Sequence, residues 1–143
     1  MVTAEDVRAF ALTLPRAYEA VVRDRVKFRV GRIVFLALSR DETELGFGYP
    51  KEEREALIAA DPDKFHLPIP SDLRYHWVRC WLAEIELDEL HELILDAWRM
   101  VVPKKVWNEY INTNPRWSAG LAGQLDEVGG DLGGEDRWQF AER

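Results

Sequence analysis

Four cations stand out by their spacing: Arg23, Arg25, Lys27 and Arg29 alternate with Val22, Val26, Phe28 and Val30. Period-two alternation is strand periodicity, so one strand face would be basic and the other apolar. Same-face positions on a strand recur about every 6.6 Å. That matches the separation of successive phosphates on an extended nucleic-acid backbone. Side chains so placed displace counterions and give salt-dependent, sequence-tolerant affinity. Arg32 extends the run, and Arg74 and Arg79 are basic outliers further on. The same pattern also suits a solvated strand whose charges discourage sheet-to-sheet aggregation.

A second stripe is aromatic. Tyr75, Trp77, Arg79 and Trp81 fall on one face of a strand over 74–83, and His76, Val78, Cys80 and Leu82 on the other. Exposed aromatics can stack unpaired bases, and an arginine among them adds cation–π attraction. Large aromatics more often pack the core, and core is the expectation here.

Catalytic chemistry finds little to work with. His66, His76 and His91 include no pair at helical ligand spacing. His76 and Cys80 share a strand face but would stand about 13 Å apart, too far for a thiolate–imidazole pair. Cys80 reads as a small buried hydrophobe, and as the single cysteine it excludes an internal disulfide. No Gly-rich phosphate loop, nucleophile elbow or acid–base motif is present. The expectation is no enzyme, no cofactor and no metal. Glu84, Glu86, Asp88, Glu89, Glu92 and Asp96 form an acidic cluster that reads as a solvated helix face. It would repel nucleic acid from that side or meet a basic protein.

These residues need a scaffold, and the chain is long enough to build one domain. It has 143 residues, 47% of them hydrophobic and 11% aromatic, which suits a globular core. The net charge of -7 hides an asymmetry, because residues 16–40 carry seven bases against Glu19 and Asp24. No apolar run reaches the roughly 18 residues of a membrane span. The first residues lack a basic-then-apolar leader, so a cytoplasmic protein is expected.

Thr3 would cap a first helix carrying Val7, Phe10, Ala11 and Leu14, which Pro15 ends. A β meander over 19–48 follows. It turns at Gly31-Arg32 with glycine first, and again at Arg40-Asp41-Glu42. Ile33 to Leu38 reads as a central strand covered on both faces. Pro50 opens and Pro62 closes a second helix, and residues 65–73 read as an irregular connection. A third helix starts at or just before Asp88. It buries Leu90, Leu93, Ile94, Ala97, Trp98 and Val101, and Pro103 begins a last helix. This order predicts an α+β fold, an antiparallel β-sheet with helices packed on one side.

The Leu14-Pro15 helix exit, the KFRVGRIVFLAL segment (27–38) and the PKEEREALIAADP helix (50–62) come in a specific order. With the Trp77-Val78 strand and the ELHELILDAWRMVVPKK helix pair (89–105), they resemble the MmcQ/YjbR family of small bacterial proteins. The resemblance covers about residues 3–112. It implies a CyaY-like fold, related to frataxin-like and secretion-chaperone-like folds, and a double-wing DNA-binding role. Two features depart from the family: PIPSDLRYHWV stands where members often carry a His-Tyr-Gly-type stretch, and the tail is acidic and Gly-rich.

The sequence therefore predicts a YjbR-like domain over 1–112 and a Gly-rich acidic tail over 113–143, the chain being a monomer. The expected function is weak, mainly electrostatic DNA binding through the phosphate backbone. Arg23, Arg25, Lys27, Arg29 and Arg32 would carry it, with Arg74 and Arg79 flanking. The alternative is a protein-interaction or chaperone-like adaptor that binds a protein partner and no nucleic acid.

Overall fold

Thr3 opens the fold as expected. In the computed structural model, which describes residues 1–114, its hydroxyl accepts from Asp6 N at 3.3 Å, and Asp6 Oδ2 accepts from Thr3 N at 2.9 Å. This reciprocal box starts α1 (Ala4–Ala11), which buries Val7 and Ala11. The helix stops before Pro15, and Leu14 is buried just past its end.

The meander begins with β1 (Ala17–Val22) and β2 (Arg25–Val30). Between them Arg23 and Asp24 both take positive φ, 54° and 68°, the geometry of a two-residue hairpin that matches strand twist. This corrects the single strand expected over 22–30. Arg23 is a turn residue, and Val22 pairs with Arg25 on Arg25's face of the sheet. The next turn is as expected. Gly31 has φ +62°, and Val30 pairs with Ile33 of β3 (Ile33–Leu38).

Between Asp41 and Thr43 the chain turns once more, into β4 (Glu44–Gly48). Asp41 Oδ1 accepts from the Ser39 and Thr43 hydroxyls, each at 2.8 Å, and from Thr43 N at 3.2 Å. These bonds hold the Asp41 carboxyl below the usual carboxylate range.

Pro50 precedes α2 (Lys51–Ala60). The connection expected to be irregular holds a two-residue strand, β5 (Phe65–His66), and a 3-10 turn over Pro70–Asp72. The chain then returns as β6 (Trp77–Trp81) between β4 and β5. The six strands run β1-β2-β3-β4-β6-β5, each antiparallel to its neighbours. Two helices end the described chain, α3 (Leu87–Arg99) and α4 (Lys104–Thr113). The last turn of α4 runs one residue past the boundary expected at 112. From residue 115 the expected tail lies outside the described residues.

The main core lies between the sheet and α1, α3 and α4. Phe28, Val30, Leu36, Leu38, Leu45, Phe47, Val78 and Cys80 meet Leu90, Ile94, Trp98 and Trp107 there. Trp98 keeps its indole N–H satisfied inside by donating to Pro15 O at 2.9 Å. Leu93 and Val101 are half-buried rather than buried, and Arg99 is buried instead.

All six residues of β3 are buried, as expected of a central strand. The register against β2 slips by one residue, so Phe28 faces Leu36 while Arg29 faces Val34. The extra residue, Phe35, joins Leu36 in the main core, and Val34 and Ala37 fall on the other face. There they pack with Ile33, Trp77 and Met100. The Trp77 ring lies directly over Gly46, where an added Cβ would stand 2.7 Å from the indole.

Candidate nucleic-acid interface

The expected basic array divides into three places. Arg23 is exposed at the tip of the β1–β2 hairpin, and Arg32 is exposed at the opposite end of the sheet, in the β2–β3 turn. Between them, Lys27 is only 3% exposed. It lies between Ala20 and Ala37 in its lateral row, in an interior strand beside the second apolar cluster. Lys27 therefore does not join an exposed cationic face, which corrects the sequence reading. Arg29, one same-face step further, is half-buried.

Arg25, half-buried, is the member of the array that lines a surface depression. Pairing places Arg25 beside Ser39, Ser39 beside Glu44, and Glu44 beside Trp81, one lateral row across four strands. With strands about 4.8 Å apart, this row spans about 14 Å on one face. At its β2–β3 end is an open depression of about 460 Å³, lined by Arg25, Ser39, Arg40, Asp41 and Glu44. At its other end Trp81 is 41% exposed.

Both carboxylates of the depression are engaged within the protein. Asp41 closes its own turn. Glu44 Oε1 meets His66 Nε2 at 2.7 Å and accepts from Arg79 Nη1 at 3.2 Å. The cations are less committed. Arg25 Nε donates to Leu38 O at a long 3.4 Å, and no ion pair engages Arg23, Arg25 or Arg40 among the described residues. Arginines poised beside occupied carboxylates can still offer N–H groups to an incoming phosphate.

The flanking residues are built in differently. Arg79 also donates from Nε to Leu67 O at 2.9 Å, so it positions the β5–β6 edge as much as it offers charge. Arg74 is exposed, its guanidinium 4.7 Å from the Tyr75 ring centre. The aromatic stripe splits: Trp77 is 6% exposed and packs as core, while Trp81 stays open and stacks on His66 at 4.8 Å.

The sequence reading missed Arg40 as a site residue. Its signal was present, because Arg40 closes the basic run over 16–40, but the turn it shares with two acids concealed it. The acidic helix also differs in detail from a fully solvated face. Glu89 pairs with Lys64 at 2.9 Å and Asp96 with Arg99 at 3.2 Å. Among the described residues no group of three or more His, Cys, Asp or Glu side chains is placed to hold a metal ion. No described helix is long and apolar enough to cross a membrane.

Burial pushes the Cys80 thiol up to about 12, far from a reactive thiolate at neutral pH.

Comparison with known proteins agrees with the architecture. The family model described as YjbR matches residues 12–100. The crystal structure of Deinococcus radiodurans protein DR2400, family-model domain DUF419, superposes with a TM-score of 0.63 at 22% identity. The match covers 76% of this chain and 88% of that one. At that identity the likeness speaks for the fold alone. No curated protein matches the sequence.

Proposed function

The chain belongs to the YjbR family, and on that premise we propose that it is a non-enzymatic protein that binds DNA weakly through its phosphate backbone. The observation that carries this reading is the pairing of Arg25 and Arg40 around one open depression whose two carboxylates are already engaged. Arg23 at the hairpin tip, exposed like Arg40, adds a third cation at the same end of the sheet as half-buried Arg25. Contacts of this kind neutralise phosphates and read no base, so affinity depends on salt and hardly on sequence. Trp81 offers a stacking surface at the far end of the row for an unpaired base.

Location is tested by comparing two folded variants in an anisotropy titration at low salt. Arg25→Ala with Arg40→Ala should weaken duplex binding at least about tenfold on unrelated sequences. Arg32→Ala, at the opposite end of the sheet, should stay close to wild type. Equal losses from both would remove the depression as the binding site. The adaptor reading draws on exposed Trp81, but burial of Trp77 takes away half of the apolar groove it needs.

A further inference from the structure

The outer side of the sheet at β1 is open. The strand order puts β1 at one edge, with no described strand beyond it. The two-residue turn at Arg23-Asp24 fixes which of its backbone groups are used. Val22 and Arg25 close the hairpin as a hydrogen-bonded pair, and Ala20 with Lys27 and Tyr18 with Arg29 repeat that role. The N–H and C=O groups of Glu19 and Val21 therefore point away from β2. Ala17 N is already taken by Leu14 O at 3.2 Å.

This edge lacks the usual protection against pairing. It holds no proline and no lysine, and its register with β2 is unbroken. Its one charge, Glu19, is turned aside to Arg8, at 2.9 and 3.2 Å. Val21 is 67% exposed and Tyr18 42%.

We propose that β1 pairs antiparallel with β1 of a second copy of this chain, about a two-fold axis at Ala20, joining two six-stranded sheets into one. In this register Glu19 faces Val21 of the second copy, and all four outward-pointing groups on each strand find partners. A shift toward the N-terminus would set Val21 or Glu19 against Ala17, whose N–H is used. A shift toward the turn would leave too little strand to pair. The register is also self-complementary in its side chains: exposed Val21 meets Glu19 of the second copy, whose carboxylate is already held by Arg8. A six-residue strand with two exposed apolar side chains buries less than a standard interface, so the dimer is weak and concentration-dependent. This replaces the monomer expected from sequence, and it does not rest on the DNA reading.

The test is sedimentation velocity on the full chain without nucleic acid, from about 1 μM to about 1 mM, the range where a small interface associates. The average mass should rise from 16.6 kDa toward twice that value. Because Val21 N–H points outward, Val21→Pro removes an intermolecular donor and spares the β1–β2 ladder. That variant should stay monomeric throughout while keeping a wild-type thermal transition. Should it fail to fold, Val21→Asp decides, because it changes an exposed side chain and leaves every backbone group in place. That variant sets a carboxylate against Glu19 of the second copy, twice by symmetry, and should weaken association at least about tenfold. A wild type that remains monomeric at the highest concentration overturns the proposal. So does a folded Val21→Pro, or a Val21→Asp, that associates normally.

Discussion

Gly46→Ala adds one methyl group where the structure has no room for it. Gly46 does not take a positive φ, so alanine is compatible with the backbone and only the close approach forbids it. The new Cβ would stand 2.7 Å from Trp77 Cζ2 and Nε1 and 2.8 Å from Cε2. The indole cannot step aside easily, being 6% exposed and packed with Ile33, Val34, Ala37 and Met100. Overpacking of this kind costs about 1–3 kcal/mol, and the tight surround argues for about 2 or more. At roughly 3–4 °C per kcal/mol for a chain of this size, the midpoint should fall by about 6–10 °C. Urea unfolding followed by far-UV circular dichroism would measure the loss at unchanged slope. A second background isolates the cause. In Trp77→Leu the branched side chain no longer spans Gly46, so adding Gly46→Ala should cost little, leaving a coupling of about 2 kcal/mol. A Gly46→Ala protein within about 0.5 kcal/mol of wild type, or an equal loss in both backgrounds, would refute the packing argument.

Two further outcomes follow from titratable groups on the helix side of the sheet. Asp96 keeps 41% of its side chain exposed, yet its surroundings desolvate it and raise its carboxyl to about 6, against the pull of Arg99 and with a further push from Glu92. A carboxyl raised on folding favours the native state while protonated, so this contribution is full below about pH 4 and is lost as pH rises through about 6. Asp96→Asn should therefore unfold at a higher temperature than wild type at pH 7.5 and converge with it near pH 4; parallel curves would contradict the assignment. Cys80, buried under the main core, should resist a thiol reagent at pH 8 and react at the rate of global unfolding. Stoichiometric labelling in native buffer would show that β6 opens locally.

Much of the scaffold could be read from residue types with one strong local meaning. Thr3 with Asp6 marks a helix start, Pro15 and Pro50 mark boundaries, and Gly31 marks a left-handed turn position. The unbroken apolar run of β3 marks burial on both faces. The Arg23-Asp24 turn was hidden because the alternation of arginine and valine runs straight through it, and arginine carries no preference for positive φ. β5 was hidden for another reason: two residues have no period of their own, and their pairing is specified by β6. The site was less legible than the fold. Lys27 is indistinguishable from Arg25 in sequence, and only the third dimension sets one against Ala37 and the other at the depression. Arg40 belongs with Arg25 through strand pairing, fifteen positions away in the chain.

Salt dependence tests the central claim most directly. Anisotropy of a labelled duplex of arbitrary sequence, titrated with the wild-type chain at several salt concentrations, gives the slope of log affinity against log salt. If Arg23, Arg25 and Arg40 each neutralise one phosphate, the slope is about -2.7, at about 0.9 per contact, and a second, unrelated duplex gives the same line. Absence of binding at low salt, or a slope near zero, would contradict DNA binding by this end of the sheet.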